Sequence, residues 1–338
     1  MPPSAPLSAA SFDAPFDPLA EASTPIASDT SPTLVHLPEL NHQHLASSAS
    51  TNSELITAVQ DGTLDAAQMH LLTADTQSAG RGQHGRSWQS PPGNVYLSLY
   101  HPVHQPISGL LSLVIGVELA KMPVIQALNE QLHARQLTPI GVKWANDLGF
   151  YAAISKPALT ASEPATQTQP FSKLAGILIE PVTIAGKLVG VVMGVGLNVQ
   201  AAPALTAQTC EGMSYQAISL QDICQMPPDA ATIRLPNLKT LYQQMSKALM
   251  AAMTRFEYFS LEKPTGHTYY LDRFLEQFDG VDALAGRRLR VTQEHHGNST
   301  VVTGYACGID THGCLQLRQD NGNISALFTG RIDVIHQA

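Results

Sequence analysis

The sequence predicts an α/β fold in two parts, a sheet with helices packed on it followed by a small all-β domain. Three observations carry this. LAGILIEPVTIAGKLVGVVMGVGLNV reads as two long apolar strands joined by a turn at AGK. GLLSLVIGVELAKMPVIQAL keeps apolar residues at helical spacing, which predicts one helix packed on that sheet. From Leu284 onward the pattern changes to short alternating strands with glycine turns, which predicts a five-stranded barrel within residues 281–338.

Taken in order, residues 1–33 are rich in Pro, Ala, Ser, Thr and Asp and show no apolar periodicity, so a disordered tail is expected. The folded part then spans residues 34–280. Thr51 with Glu54 three residues on has the form of a capping box, opening a helix over Asn52–Val59 that Gly62 closes. MHLLTA and VYLSLY read as buried strands, with a glycine loop and the turn SPPGN between them. IGVKWAND is a strand running into a polar loop. The low-complexity stretch 155–170 is expected to be a flexible surface insertion. From Pro236 to Phe278 the pattern is helical, and RLRVTQ, STVVTGYACGID, CLQLRQ, ISALFTG and RIDVI are the strands of the last domain.

Composition excludes several classes. A chain of 338 residues with 44% hydrophobic content and mean hydropathy near zero describes a globular protein with a sizeable core. Its longest apolar run, near Leu110–Ala120, is broken by Ser112 and Glu118 and is too short to span a bilayer, so no membrane partner is expected. There is no basic patch with an apolar stretch at the start, and Cys210, Cys224, Cys307 and Cys314 form no CxxC pair. Both features predict reduced thiols in the cytoplasm. The first lysine or arginine is Arg81, preceded by nine Asp and Glu residues, which argues against nucleic-acid binding.

The loop GRGQHG fits the dinucleotide spacing G-x-G-x-x-G, but RSWQSPPGN follows it, and its prolines and glycine forbid the helix that a pyrophosphate would need. The loop suits another chemistry. Gly80 and Gly82 let backbone N–H groups approach a ligand, and Arg81 and Arg86 offer guanidinium forks for phosphate or carboxylate. A mobile surface hairpin fits the same residues. In VKWANDL, Lys143 offers an ammonium for developing phosphate charge, and Asp147 beside Asn146 offers an oxygen for Mg²⁺; a strand with ordinary turn residues fits equally. The glycines of GVGLN are accounted for by crowding at a sheet end. The pairs His42/His44, His101/His104 and His295/His296 lack a neighbouring Cys or carboxylate cluster and read as surface residues.

The order of the motifs decides among these readings. STN at Ser50–Asn52, then QSAGRGQHGRSW, VKWANDL, KLAGILIE and GVGLNV resembles the biotin protein ligase family, from about Val35 to Ala338. The resemblance implies a mixed-sheet catalytic domain of the class II synthetase and lipoate ligase type, with an SH3-like C-terminal domain. It implies formation of biotinyl-5′-AMP from biotin and Mg·ATP, then transfer to a lysine of the biotin carboxyl carrier protein of acetyl-CoA carboxylase. Biotin contacts are implied at Ser50, Thr51, Asn52, Gln77, Arg81, Gly82, Gln83 and Lys143. ATP contacts are implied at Gly80, Arg86, Trp88, Asn146, Asp147, Lys173 and Asn198. Lys143 and Arg81 are the expected catalytic residues, with Asp147 as a Mg²⁺ ligand. Gln83 stands where many members carry arginine, and Ala145 where a proline is usual, which is expected to loosen that turn. The region before Ser50 is too short, too proline-rich and too poor in cations for the winged helix that makes some members repressors. A single-function ligase is therefore expected, with a homodimer left open. A lipoate or octanoate ligase or transferase, a non-catalytic biotin-responsive regulator and a plain binding module are the alternatives.

Overall fold

Alternating apolar residues build the central sheet, and its middle is the hairpin read from the sequence. The structure is a computed structural model describing residues 40–103, 105–152, 168–204, 215–226, 233–261, 269–295 and 298–335. The expected tail at 1–33 and residues 155–167 of the expected insertion lie outside them. Strands β1 (Asn41–Leu45), β2 (His70–Ala74), β3 (Val95–Pro102), β4 (Gly141–Lys143), β5 (Asp147–Tyr151), β7 (Phe171–Ile184) and β8 (Lys187–Leu197) lie in the order β1-β2-β3-β8-β7-β5-β4. A short β9 (Tyr215–Ala217) runs parallel to the start of β7. The β7–β8 turn sits at Ala185 and Gly186, with φ of 48° and 76°, the left-handed pair that closes a tight hairpin. The sheet is mixed, with β1–β2 and β7–β9 parallel and the other pairs antiparallel.

The helices depart from expectation in two places. The single helix expected over Gly109–Leu128 is two, α2 (Leu110–Ala120) and α3 (Pro123–Ala134), bent by 70°. Pro123 is the cause: its ring disfavours helical geometry in the preceding residue, and Met122 sits at φ −58°, ψ 139°. Ten of the eleven α2 residues are buried, so its all-round apolarity marks a core helix. Among the described residues no single helix is long and apolar enough to cross a membrane. In α1 (Thr51–Gln60) the N-cap is Ser50 rather than Thr51, and Ser50 makes no side-chain cap hydrogen bond. Glu54 closes no capping box; its carboxylate takes Ser48 Oγ at 2.6 Å and the Ala49 N–H at 3.0 Å. Gly62 does follow the helix end, at φ 79°. A capping box occurs instead at α4 (Leu220–Gln225), between Ser219 and Asp222. The expected helical region holds α5 (Leu238–Leu261) and α6 (Tyr269–Asp279).

All five expected C-terminal strands form: β10 (Arg288–His295), β11 (Asn298–Ile309), β12 (Leu315–Arg318), β13 (Ile324–Leu327) and β14 (Arg331–Ile335). A sixth, β6 (Thr168–Gln169), joins them from within the expected insertion and pairs with β14. This second sheet is consistent with the SH3-like expectation. It also abuts the first: Val142 donates to Val281 O at 2.7 Å and accepts from the Ala283 N–H at 2.9 Å. The Trp144 indole donates to Gly313 O at 2.8 Å, and Ser112 Oγ to Ala145 O at 2.8 Å. The turn expected to be loosened by Ala145 is therefore tied on both sides.

Candidate active site

The N-terminus of α1 supplies the first wall of a cavity. Thr51 and Asn52 are buried, and the Thr51 N–H and hydroxyl both donate to Gln77 Oε1, at 2.9 and 3.2 Å. Ser98 Oγ lies 2.7 Å from Thr51 Oγ1 and 2.5 Å from Asn52 Oδ1. Asn52 Nδ2 donates to Glu180 Oε2 at 2.9 Å, and Arg81 donates to the same oxygen at 2.7 Å. A continuous run of polar contacts thus joins Gln77 to the glycine loop. Gly194 makes room for it, because a Cβ there would strike the Asn52 amide.

The glycine loop is a small hairpin rather than a dinucleotide turn. The Trp88 N–H donates to Gly80 O at 2.8 Å and the Gly82 N–H to Arg86 O at 2.7 Å, around a tight turn at Gln83–Gly85. No α-helix follows it before β3. The Trp88 indole lies against Gly176 and Gly196, where a Cβ would meet the ring. Those two glycines face each other across β7 and β8. The glycines of KLAG and GVGLN therefore hold space for Asn52 and Trp88, a more specific role than relief of crowding at a sheet end. Trp88 Nε1 and Asn198 Oδ1 are buried and without a hydrogen-bond partner among the described residues. Buried polar atoms of this kind point to a ligand that completes them.

Lys173 and Lys143 both place their ammonium groups over the Tyr215 ring, 5.0 and 4.8 Å from its centroid. Lys173 Nζ lies 2.7 Å from Asp147 Oδ1, and the Tyr215 hydroxyl donates to Asp147 Oδ2 at 3.2 Å. Burial, reinforced by Asp147, pushes the Tyr215 hydroxyl far up, so it is a neutral donor. Burial also pushes the Lys143 ammonium down to about 8, with Asp147 opposing the shift and Lys173 adding to it.

Twelve of the fifteen expected residues line this one cavity: Ser50, Thr51, Asn52, Gln77, Arg81, Gly82, Gln83, Arg86, Trp88, Asn146, Lys173 and Asn198. The other three are not part of its lining. Lys143 leaves the three-residue β4 buried over the rings of Phe171, Tyr215 and Tyr151, and Lys173 is the lysine on the cavity surface. Asp147 is buried and spends its carboxylate on Lys173 and Tyr215, and among the described residues no three His, Cys, Asp or Glu groups converge as metal ligands. Gly80 serves the hairpin, since a Cβ there would strike the Trp88 carbonyl. The sequence reading missed three residues. Ser98 carried a signal as a polar inward position of VYLSLY. Glu180 stood at the end of KLAGILIE without an assigned role. Tyr215 carried no signal.

Residues 48–198 match the family model described as Biotin/lipoate A/B protein ligase family. The Bifunctional ligase/repressor BirA of Salmonella typhimurium is 30% identical over 264 residues, which cover 77% of this chain and 65% of that protein. The Biotin--[acetyl-CoA-carboxylase] ligase of Mycobacterium tuberculosis is 31% identical over 202 residues, covering 58% of this chain and 61% of that protein. The chain thus spans under two thirds of the length of these two relatives. Biotin protein ligase from Aquifex aeolicus, solved in complex with biotin and ATP, aligns with a TM-score of 0.58 at 18% identity. The alignment covers 88% of this chain and 99% of that one, a likeness of fold.

Proposed function

We propose that this chain is an ATP-dependent biotin protein ligase acting through biotinyl-5′-AMP. The observation that carries the reading is convergence: STN, the glycine hairpin, Asn146, Lys173 and Asn198, scattered over about 150 residues, line one cavity. A carboxylate oxygen of biotin attacks the α-phosphorus of ATP, the bond to the β-phosphate breaks, and pyrophosphate leaves. A neutral lysine amine of a carrier protein then attacks the acyl carbon, AMP leaves and the amine gives up a proton. Neither step needs a protein nucleophile. Both need positioned cations at the phosphate, which here are Lys173, Arg81 and Arg86. Ser50, Thr51, Asn52 and Gln77 hold biotin, while Trp88, Asn146 and Asn198 hold the nucleotide. Lys143, buried and 4.8 Å from the centroid of the Tyr215 ring, acts through its field. Mg²⁺ enters on the phosphates of ATP as part of the substrate.

The proposed acceptor is the biotin carboxyl carrier protein of an acetyl-CoA carboxylase, in the cytoplasm. Labelled biotin, Mg·ATP and a carrier domain, with lipoate as the competing acid, test the reading. Biotin-dependent pyrophosphate release and label on the carrier are expected. Release driven by lipoate alone would transfer the reading to the lipoate branch. With no cation before Arg81, a gel shift with upstream DNA is expected to be negative.

A further inference from the structure

We propose that Glu180 is a positioning residue that couples the glycine hairpin to the start of α1, an inference that rests on the ligase reading above. On β7, Gly176 and Leu178 face the cavity, and Glu180 is the next residue on that face, just outside the lining. One oxygen, Oε2, accepts from both Asn52 Nδ2 at 2.9 Å and Arg81 at 2.7 Å. Asn52 is fixed in turn through Ser98 to Thr51 and Gln77. The hairpin itself is exposed at Arg81; its base is held where the Ser78 and Ala79 N–H groups donate to Ser48 O and Ala49 O, while above it Gly82, Arg86 and Trp88 donate only within the hairpin. Glu180 therefore ties the cation of the hairpin to the residues that hold the acid substrate. Arg81 keeps further N–H donors for a ligand, since Glu180 accepts from one terminal nitrogen. A shift of the hairpin is felt at Asn52, and a substrate that orders Asn52 orders the hairpin.

Hydrogen exchange of the segment 78–88 tests the coupling without ligand or turnover. Glu180→Gln keeps an acceptor for Asn52 and removes the charge that holds Arg81. The amides of Gly82, Arg86 and Trp88 should exchange about fivefold faster in this variant, a modest factor suited to a half-exposed pair. Arg81→Met should give the same acceleration, and the double variant no more than either. For catalysis, Glu180→Gln should raise KM for biotin about fivefold while kcat for pyrophosphate release stays within twofold. Unchanged exchange in both single variants, or additive effects in the double, would overturn the coupling. If Glu180→Gln fails to fold, Arg81→Met at its exposed position decides the exchange arm alone. Absence of pyrophosphate release by the wild-type chain would sink the ligase reading, and the exchange comparison would still decide the coupling.

Discussion

Two lysines place their ammonium groups over the Tyr215 ring, and the protein treats them in opposite ways. Lys173 is on the cavity surface, partly exposed and paired with Asp147. Lys143 is buried among aromatic rings, with its ammonium held down to about 8. The difference teaches that a lysine in a motif is not by itself a ligand-facing cation. Surface position with a carboxylate partner keeps a charge available to substrate. Burial against ring faces makes a charge that costs stability, and such a residue acts at a distance or not at all.

The sharpest way to break that comparison is to remove each charge in turn. Lys173→Met should slow pyrophosphate release on the order of 10²–10³-fold, the usual loss of one preorganised charge at a transition state. Lys143→Met should slow it by far less. Equal losses would mean that position on the cavity surface does not separate the two lysines' roles. Stability should respond the other way. Because folding lowers the Lys143 pKa from 10.5 to about 8, the folded chain disfavours the ammonium. The penalty is complete below pH 8 and fades as pH rises toward 10.5. Lys143→Met should therefore be more stable at pH 7 by about 1–3 kcal/mol, a gap that closes by pH 10.5. Urea midpoints at the two pH values measure it.

The hairpin extends the comparison to a position that lacks a charge altogether. Gln83 lines the cavity and can donate a hydrogen bond, but without charge. Gln83→Arg should slow dissociation of biotinyl-5′-AMP about tenfold, the lower end of what a charge-assisted bond contributes. Stopped-flow off-rates that match in the two proteins would remove residue 83 from the phosphate. The smallest effect is expected at Asp282, a half-buried acid beside Val142 and outside the cavity lining. Burial, aided by Asp279, raises Asp282 from 3.8 to about 6, against the Leu284 N–H and Arg287. The protonated form suits the fold, so its contribution is complete below about pH 3.8 and is lost as pH rises through 6. Asp282→Asn should raise stability by about 1 kcal/mol at pH 8 and change little at pH 4, as read by thermal melts at both.

The strands, the β7–β8 hairpin and the cavity-lining motifs were legible because alternation and motif order are local or cumulative signals. What escaped was decided by geometry between distant segments. Ser50 and Thr51 differ by one residue as cap candidates, and only the backbone turn chooses. Pro123 was visible, but the apolar periodicity ran through it. In a three-residue strand such as β4, no pattern tells which face Lys143 takes. Tyr215 reaches Asp147 across 68 residues, and Glu180 reaches Asn52 across 128, so neither partner appears in the other's neighbourhood.

The strand Thr168–Gln169 changes what the boundary near residue 280 means. Gln169 pairs with Val334 and also accepts from Arg287, while Val142 takes its outer partners from Val281 and Ala283. The last domain therefore covers the raw margin of the main sheet and borrows chain from it. A protein cut after residue 280 would present two unpaired margins to solvent, one at β4 and one at β6. Open margins invite pairing with other copies, so such a fragment should form oligomers or precipitate rather than behave as a smaller working version.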